Sequence, residues 1–552
     1  MADNSRESQP LLQSNSGGRQ TPQSRARRAL PYGLVALVFI IISVVLLVVL
    51  VKPKDSDQPS DRPKKSPLSD QLTTPSIFNH LEELYAIALN HNNSRSVTNG
   101  YMASAEYVQA QLKHKAGSYC DVSTQEFKVP VWSELAAPEL SSTGIGHDGA
   151  HIQYQNKVDF QTSSPHCFAA FTCTRRLTLL YPWLPDFRDS GPSTTLKKQA
   201  IEGVANHGCS AKDHKWVQGK IAVIEEGGSC TLWDAAYLAE QHGATGVLFY
   251  NSPSRKALLY SRIRISAWAE GDPLISIPVL SITNSFGSTL LQNLDTARLT
   301  LKTVNSQTVE STINVLCTTR GGDAKDTIVL GAHLDSVPEG PGMVDNGSGA
   351  TSLLEIALVM AKANYELKNK IVFGWWGAEE IGLLGSRHFV RELVKDPKSK
   401  KLIAMNMNFD MLASPNYVPY VHDGKTAPKD LVGPSSKIDH LLIEYFDREK
   451  KPFEYTDMTG GSDFLPFLLE GIPSGGLLTG AGERKTTEQR TLFGGFANAP
   501  LDPCYHQSCD TPENVSKSAL KLMSQAALSA IAKLAKAENI RDWLANKDVK
   551  LR

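Results

Sequence analysis

Apolar residues are distributed along this chain in several distinct ways. Residues 33 to 51, "GLVALVFIIISVVLLVVLV", form an uninterrupted apolar run, long enough to cross about 30 Å of hydrocarbon as a helix. A cleaved secretory signal fits less well, because its apolar core is shorter and is followed by a small-residue cleavage site. Residues 1–30 are rich in Ser, Gln and Arg, and 53–75 in Pro, Asp, Ser and Lys; neither segment can bury enough apolar surface to fold. "SIFNHLEELYAIALNHN" (76–92) and "GYMASAEYVQAQLKHKAG" (100–117) carry helical spacing, whereas "CDVSTQEFKVPVW" (120–132) alternates as a strand does. Between 137 and 295 short β-rich pieces follow one another. Within them, "KIAVIEEGGSCTLWDAAYLAEQHGATGVLFYN" (220–251) predicts a strand, a Gly-rich turn, a helix and a second strand.

After 296, the apolar strands "TIVLGAHLDS", "KIVFGWWGAE" and "LIAMNMNFDML" are separated by helical segments, and "SLLEIALVMAKA" places Leu353, Ile356, Ala357 and Met360 on one face. Strand, helix, strand in this order predicts an α/β fold, a mixed and largely parallel sheet sandwiched by helices. The expected division is a cytosolic tail (1–30), a transmembrane anchor (31–52), a stalk (53–75), a first part of the main domain (76–136), a β-rich insert (137–295) and the remainder of the main domain (296–545).

At 552 residues the chain exceeds one ordinary core. Lys+Arg and Asp+Glu balance at 57 each, which leaves no global basic field for nucleic acid and no acidic tail, so any chemistry is local. Arg19, Arg25, Arg27 and Arg28 precede the apolar run and hold the N-terminus in the cytosol by the positive-inside tendency. Lys52, Lys54, Lys64 and Lys65 weaken that bias, with Asp55, Asp57 and Asp61 mixed among them. The body beyond is then lumenal or extracellular. All eight cysteines follow the run, as pairing in an oxidising compartment requires. The sequons at Asn92 and Asn514 fit the same side, whereas that at Asn346 lies inside a candidate motif and is expected to be unmodified. "ESQPLL" (7–12) resembles an acidic dileucine sorting signal and favours a vacuolar or lysosomal membrane, with the cell surface as the alternative.

"GWWGAEEIGLLGS" (374–386) sets Glu379 and Glu380 side by side after a buried-strand pattern. Burying both without partners would cost several kcal/mol, on the order of the penalty for unpaired charge. Strand ends elsewhere supply partners of one kind: His333 and Asp335 in "GAHLDS", Asp345 in "GPGMVDNGSG", Asp410 in "NFDML" and His506 in "CYHQSCD". Taken singly, each is an ordinary strand-end or capping residue; together on one α/β scaffold they form a metal-ligand set. Two divalent cations balance Asp345, Glu380 and Asp410, with neutral His333 and His506 completing the shells and a hydroxide closing the charge. Mixed imidazole and carboxylate ligands suit Zn²⁺ best, with Mn²⁺ or Co²⁺ as alternatives. Cys504 and Cys509 bracket Tyr505 and His506, and a disulfide there would stiffen that loop.

"GAHLDSVPEGPGMVDNGSGA", "WWGAEEIGLLGSRHFV", "NFDM", "GGSDFLPFLLEGIPSGGLLTGAG" and "DPCYHQSCDT" together resemble the dinuclear zinc aminopeptidases related to vacuolar aminopeptidase Y, peptidase family M28, over roughly 76–540. The segment 220–251 resembles the core of a protease-associated domain, which implies a Cys209–Cys230 disulfide. The family resemblance implies two zinc ions per chain, one on His333 and Asp410, the other on Glu380 and His506, with Asp345 bridging. It further implies that Asp335 holds the His333 ring, that Glu379 is the general base and that Tyr505 donates to the oxyanion, with peptides as substrates. Phe464 departs from the commoner family pattern, in which His follows the Asp at 463, and leaves the roles of both positions open. Two rivals are weighed against this reading. A carboxypeptidase like glutamate carboxypeptidase II would need a long C-terminal helical domain, which the 46 residues after His506 are not expected to form, and a dead peptidase-fold receptor would have lost ligands, all of which are present.

Overall fold

Ile328, Leu330 and Ala332 join one apolar cluster while Val329, between them, joins another. Side chains alternate across a strand, so both faces of this sheet are buried, as near-continuous apolar strands require. The computed structural model describes residues 67–552 apart from 146–149, 163–189, 253–267, 269 and 547. In it Asp323–His333 lies parallel to Asn369–Trp376 on one side and to Ile403–Phe409 on the other, and Ser474–Leu478 continues the parallel set. Tyr420–Asp423, antiparallel to Ser474–Leu478, and then Glu454–Asp457 finish that edge.

Helices cover both faces. Ile77, Leu81 and Leu84 of Thr74–Asn90, Leu353 and Ile356 of Ser348–Ala363, and Ile531 of Lys517–Lys536 pack on the Leu330 side. Phe389 and Val390 of Leu384–Val394 pack with Trp376 on the other. Gly331 makes room for that indole, since a Cβ there would stand 2.3 Å from Trp376 Nε1.

Cys120–Thr143 and Arg298–Thr319 form one antiparallel ribbon, in register from Cys120 opposite Thr319 to Thr143 opposite Arg298, with irregularities around 134–139. The ribbon passes residue 136 without a break. Arg298–Thr319 also pairs with Asn369–Trp376 at one end and with Thr194–Val204 at the other. Beyond it, Ile221–Glu225, Gly246–Tyr250 and Val279–Ile282 follow in parallel, so a fourteen-stranded sheet runs through both parts. The helix Leu232–Gln241, capped by Thr231 and Asp234, completes the strand, turn, helix and strand expected for 220–251.

Disulfides join Cys209 to Cys230 and Cys504 to Cys509, as expected, and also Cys120 to Cys317 across the ribbon. Cys167 and Cys173 lie outside the described residues, as do the apolar run at 33–51 and the dileucine sequence. Among the described residues no helix is long and apolar enough to cross a membrane.

Candidate metal centre

Parallel strands end at one edge of a sheet, and loops at that edge collect ligands. His333 is the last residue of its strand, Asp410 follows Ile403–Phe409, and Glu379 and Glu380 stand just beyond Asn369–Trp376. Asp345 precedes the helix Ser348–Ala363, and His506, at φ 57°, lies in the loop closed by Cys504–Cys509. These residues and Tyr505 line one cleft, joined by Met411, His422, Phe464 and Leu478.

Asp345 stands at the middle. Its Oδ1 is 3.1 Å from His333 Nε2 and its Oδ2 is 3.0 Å from His506 Nε2. His333 Nε2 is also 3.3 Å from Asp410 Oδ1, and His506 Nε2 is 3.2 Å from Glu380 Oε2. The Tyr505 ring stacks on His506 at 3.8 Å. All the site residues expected from sequence are therefore brought together.

Several side chains to which the sequence reading gave no part in the site hold this arrangement. Asn346 latches two loops: its Oδ1 accepts from Gly349 and Met411 amides at 2.9 and 3.0 Å, and its Nδ2 donates to Phe409 O at 2.9 Å. The amide of that sequon is thus buried and bonded within the fold. Ser462 donates to Asp410, and Asn408 donates to Ser462 at 2.7 Å. Asp510 accepts the amides of Val344 and Asp345 at 2.9 and 3.1 Å. Asn514, whose sequon was read as fitting the lumenal side, donates to Asp502 at 2.9 Å and to Asp510 at 3.2 Å. Arg95 is fully buried and donates to the carbonyls of Leu334, Pro341 and Gly342. The "DT" after the disulfide loop was visible in sequence; nothing local marks Arg95.

Asp335 has two tasks, facing the Nδ1 side of the His333 ring and fixing a neighbouring loop. His333 Nδ1 is 3.2 Å from the Asp335 backbone carbonyl and 3.6 Å from the carboxylate. The carboxylate also accepts the amides of Glu379 at 3.1 Å and Glu380 at 3.2 Å, so it fixes the backbone of the paired glutamates. Asp463 is buried, and burial pushes it up to about 7. Phe464 tilts against His422 at 4.7 Å in the cleft wall.

Electrostatics call for cations. Asp335, Asp345, Glu379, Glu380, Asp410, Asp463, Asp502 and Asp510 are all buried, and the buried guanidinium facing them is Arg95. Burial pushes Glu379 well above its usual range and Glu380 up to about 7. Against the opposing pull of burial, the carboxylates around His333 and His506 raise both imidazoles. Glu380 Oε1 and Asp410 Oδ1 are buried acceptors without a hydrogen bond, a costly condition that a cation relieves. Donor atoms of His333, Asp345 and Glu380, and of His333, Glu379 and Asp410, lie within 4.8 Å of one another. Oxygen and imidazole donors so grouped fit a divalent transition metal.

Known proteins show the same organisation. Residues 314–531 match the family model described as Peptidase family M28, and residues 196–290 match that of the PA domain. An aminopeptidase of Pseudomonas aeruginosa is 35% identical over 463 residues, covering 82% of this chain and 80% of that one. Leucine aminopeptidase 2 of Trichophyton rubrum is 30% identical over 476 residues, covering 85% and 86%. Among solved structures, the aminopeptidase from Aneurinibacillus sp. strain AM-1 shares the fold, with a TM-score of 0.60 at 21% identity over 85% of this chain and 95% of that one. A zinc aminopeptidase from Bacillus subtilis does so with a TM-score of 0.51 at 23% identity over 85% and 96%.

Proposed function

The chain belongs to peptidase family M28 and is a metallo-aminopeptidase; on that premise we propose that it removes N-terminal residues from peptides with two zinc ions held on Asp345. The observation that carries this is the Asp345 carboxylate, each oxygen about one ligand spacing from a different imidazole. His333 and Asp410 would hold one ion, Glu380 and His506 the other. Zinc, when bound, supplies a Lewis acid that polarises the scissile carbonyl and acidifies a water molecule.

Glu379 is the base. It lines the cleft, its backbone is fixed by Asp335, and its carboxylate takes the proton of the attacking water and returns it to the leaving amine. Tyr505 donates its hydroxyl hydrogen to the carbonyl oxygen as that atom gains charge, a contact worth about 3 kcal/mol in the transition state. Met411, Phe464 and Leu478 give the first side chain an apolar wall, and the surrounding acids attract an unblocked ammonium. Incubating the purified protein with free and N-acetylated forms of one peptide tests the reading. Cleavage of the free form alone is expected; equal cleavage of both, or trimming from the carboxyl end, would overturn it.

The same reading extends to the membrane. The run 33–51 anchors the chain with the peptidase body on the lumenal or outer side, in a vacuolar or lysosomal membrane; the length of the run, the preceding arginines and three disulfides in the body support this. Retention in the pellet after alkaline carbonate washing is expected, and release into the supernatant would overturn it.

A further inference from the structure

Asn92, Asn346 and Asn514 each head an Asn-x-Ser sequence, yet their amides stand in different settings. Asn92 is exposed, and Asn346 is sealed in its latch. Asn514 is only half-buried, which would pass for an ordinary acceptor. Its Nδ2, however, donates to Asp502 Oδ1 at 2.9 Å and to Asp510 Oδ1 at 3.2 Å. A primary amide nitrogen carries two hydrogens, and both are committed here.

The two acids are buried and fix different parts of the site. Asp502 accepts the Cys504 amide at 2.8 Å, at the start of the disulfide loop that presents Tyr505 and His506. Asp510 closes that loop, accepts the amides of Val344 and Asp345, and gives its own carbonyl to the Met343 amide at 3.0 Å. Like charges so close repel, and the amide of Asn514 stands between them. It is therefore the joint between the segment bearing His506 and the segment bearing Asp345.

We propose that Asn514 is a positioning residue for the metal subsite of His506 and Glu380, and that it acts only as the free amide, so that its sequon stays unglycosylated in active protein. A glycan on Nδ2 replaces one N–H by a C–N bond and leaves one donor for two carboxylates. One acid would lose its partner, and the loop or the Asp345 segment would shift with it. This rests on the two-metal reading above.

The test uses the full chain. Ser516→Asp destroys the sequon while keeping a good cap at the start of the helix Lys517–Lys536, where Ser516 accepts from the Ala519 amide. It should leave the zinc content and kcat/KM unchanged, and in wild type and variant alike the peptide holding residue 514 should carry no mass beyond that of its own amino acids. Asn514→Ala should weaken one of two zinc ions by about 10–100-fold in chelator competition, leave the other unchanged, and regain activity in excess zinc. A residue that merely supported the fold would show no such split and no rescue. Two zinc ions held by Asn514→Ala as tightly as by the wild type would overturn this inference alone; a wild type that binds only one would overturn the two-metal reading with it. Should Asn514→Ala fail to fold, the wild-type peptide mass decides, because a glycan on Asn514 in active protein overturns the proposal.

Discussion

The inserted PA region and the peptidase half build their interiors from opposite materials. Inside the insert, Leu140, Ile201, Ile221, Val223, Leu248 and Leu280 form a plain apolar cluster. The polar side chains buried between 137 and 295, such as Gln161, Ser190, His214 and Asn251, carry no carboxylate, ammonium or guanidinium among the described residues. The peptidase half seals eight carboxylates beneath one sheet edge, from Asp335 to Asp510. One interior is self-sufficient; the other is complete only when cations offset its charge. Substitutions and solvent changes should therefore act on the two regions separately.

The sharpest break should come at the paired glutamates. Glu379→Ala should lower kcat by about 10²–10⁴-fold with zinc content unchanged, whereas Glu380→Ala should lose metal and activity together, both read by steady-state kinetics and metal analysis. Loss of metal from Glu379→Ala instead would reverse their roles. Next comes metal removal. Stripping zinc should remove about 4 kcal/mol of stability for each ion whose free concentration stood a thousandfold above its Kd. Hydrogen exchange should quicken at 333–346 and 504–510 but not in Ile221–Glu225 or Gly246–Tyr250; uniform quickening would erase the contrast.

A smaller effect should come from the insert. Replacing Cys209 and Cys230 with Ser opens a disulfide spanning 21 residues and should cost about 3 kcal/mol in urea unfolding. Turnover of a dipeptide should stay within about twofold, because the insert gives no catalytic group. The smallest involves a neutral imidazole. Burial pulls His422 down from 6.5 to about 4, so between those values the unfolded chain binds the proton that the folded chain refuses. Stability falls with pH across that window. From pH 7 to 5, wild type should lose about 2 kcal/mol more than His422→Gln in paired denaturant melts. Equal losses would remove His422 as the cause.

Much of the peptidase sheet was legible because an apolar strand that stops at His, Asp or Glu announces both an element and a possible ligand. His333, Glu379, Glu380 and Asp410 were readable in that way, whereas Asp345 and His506 stand in loops that no strand directly precedes and were marked by the motifs around them. The supports were not, since they act across long stretches of chain: Arg95 reaches Leu334, Asp510 reaches Val344, and Cys120 pairs with Cys317 at a separation of 197 residues. The family resemblance implied that Asp335 faces the His333 ring, as it does, but not that its carboxylate also accepts the amides of Glu379 and Glu380. Asn514 matched a three-residue pattern that says nothing about where its nitrogen points. The anchor and the sorting sequence fall outside the described residues.

The long ribbon has a mechanical consequence. Arg298–Thr319 is bonded to the insert at one end and to the strand before Glu379 at the other, with Cys120–Cys317 riveting it near the latter. One continuous strand thus ties the insert covalently and by ladder bonds to the neighbour of Trp375, a few peptides from the paired glutamates, with the irregular stretch 134–139 of its partner as the place where the ribbon can bend.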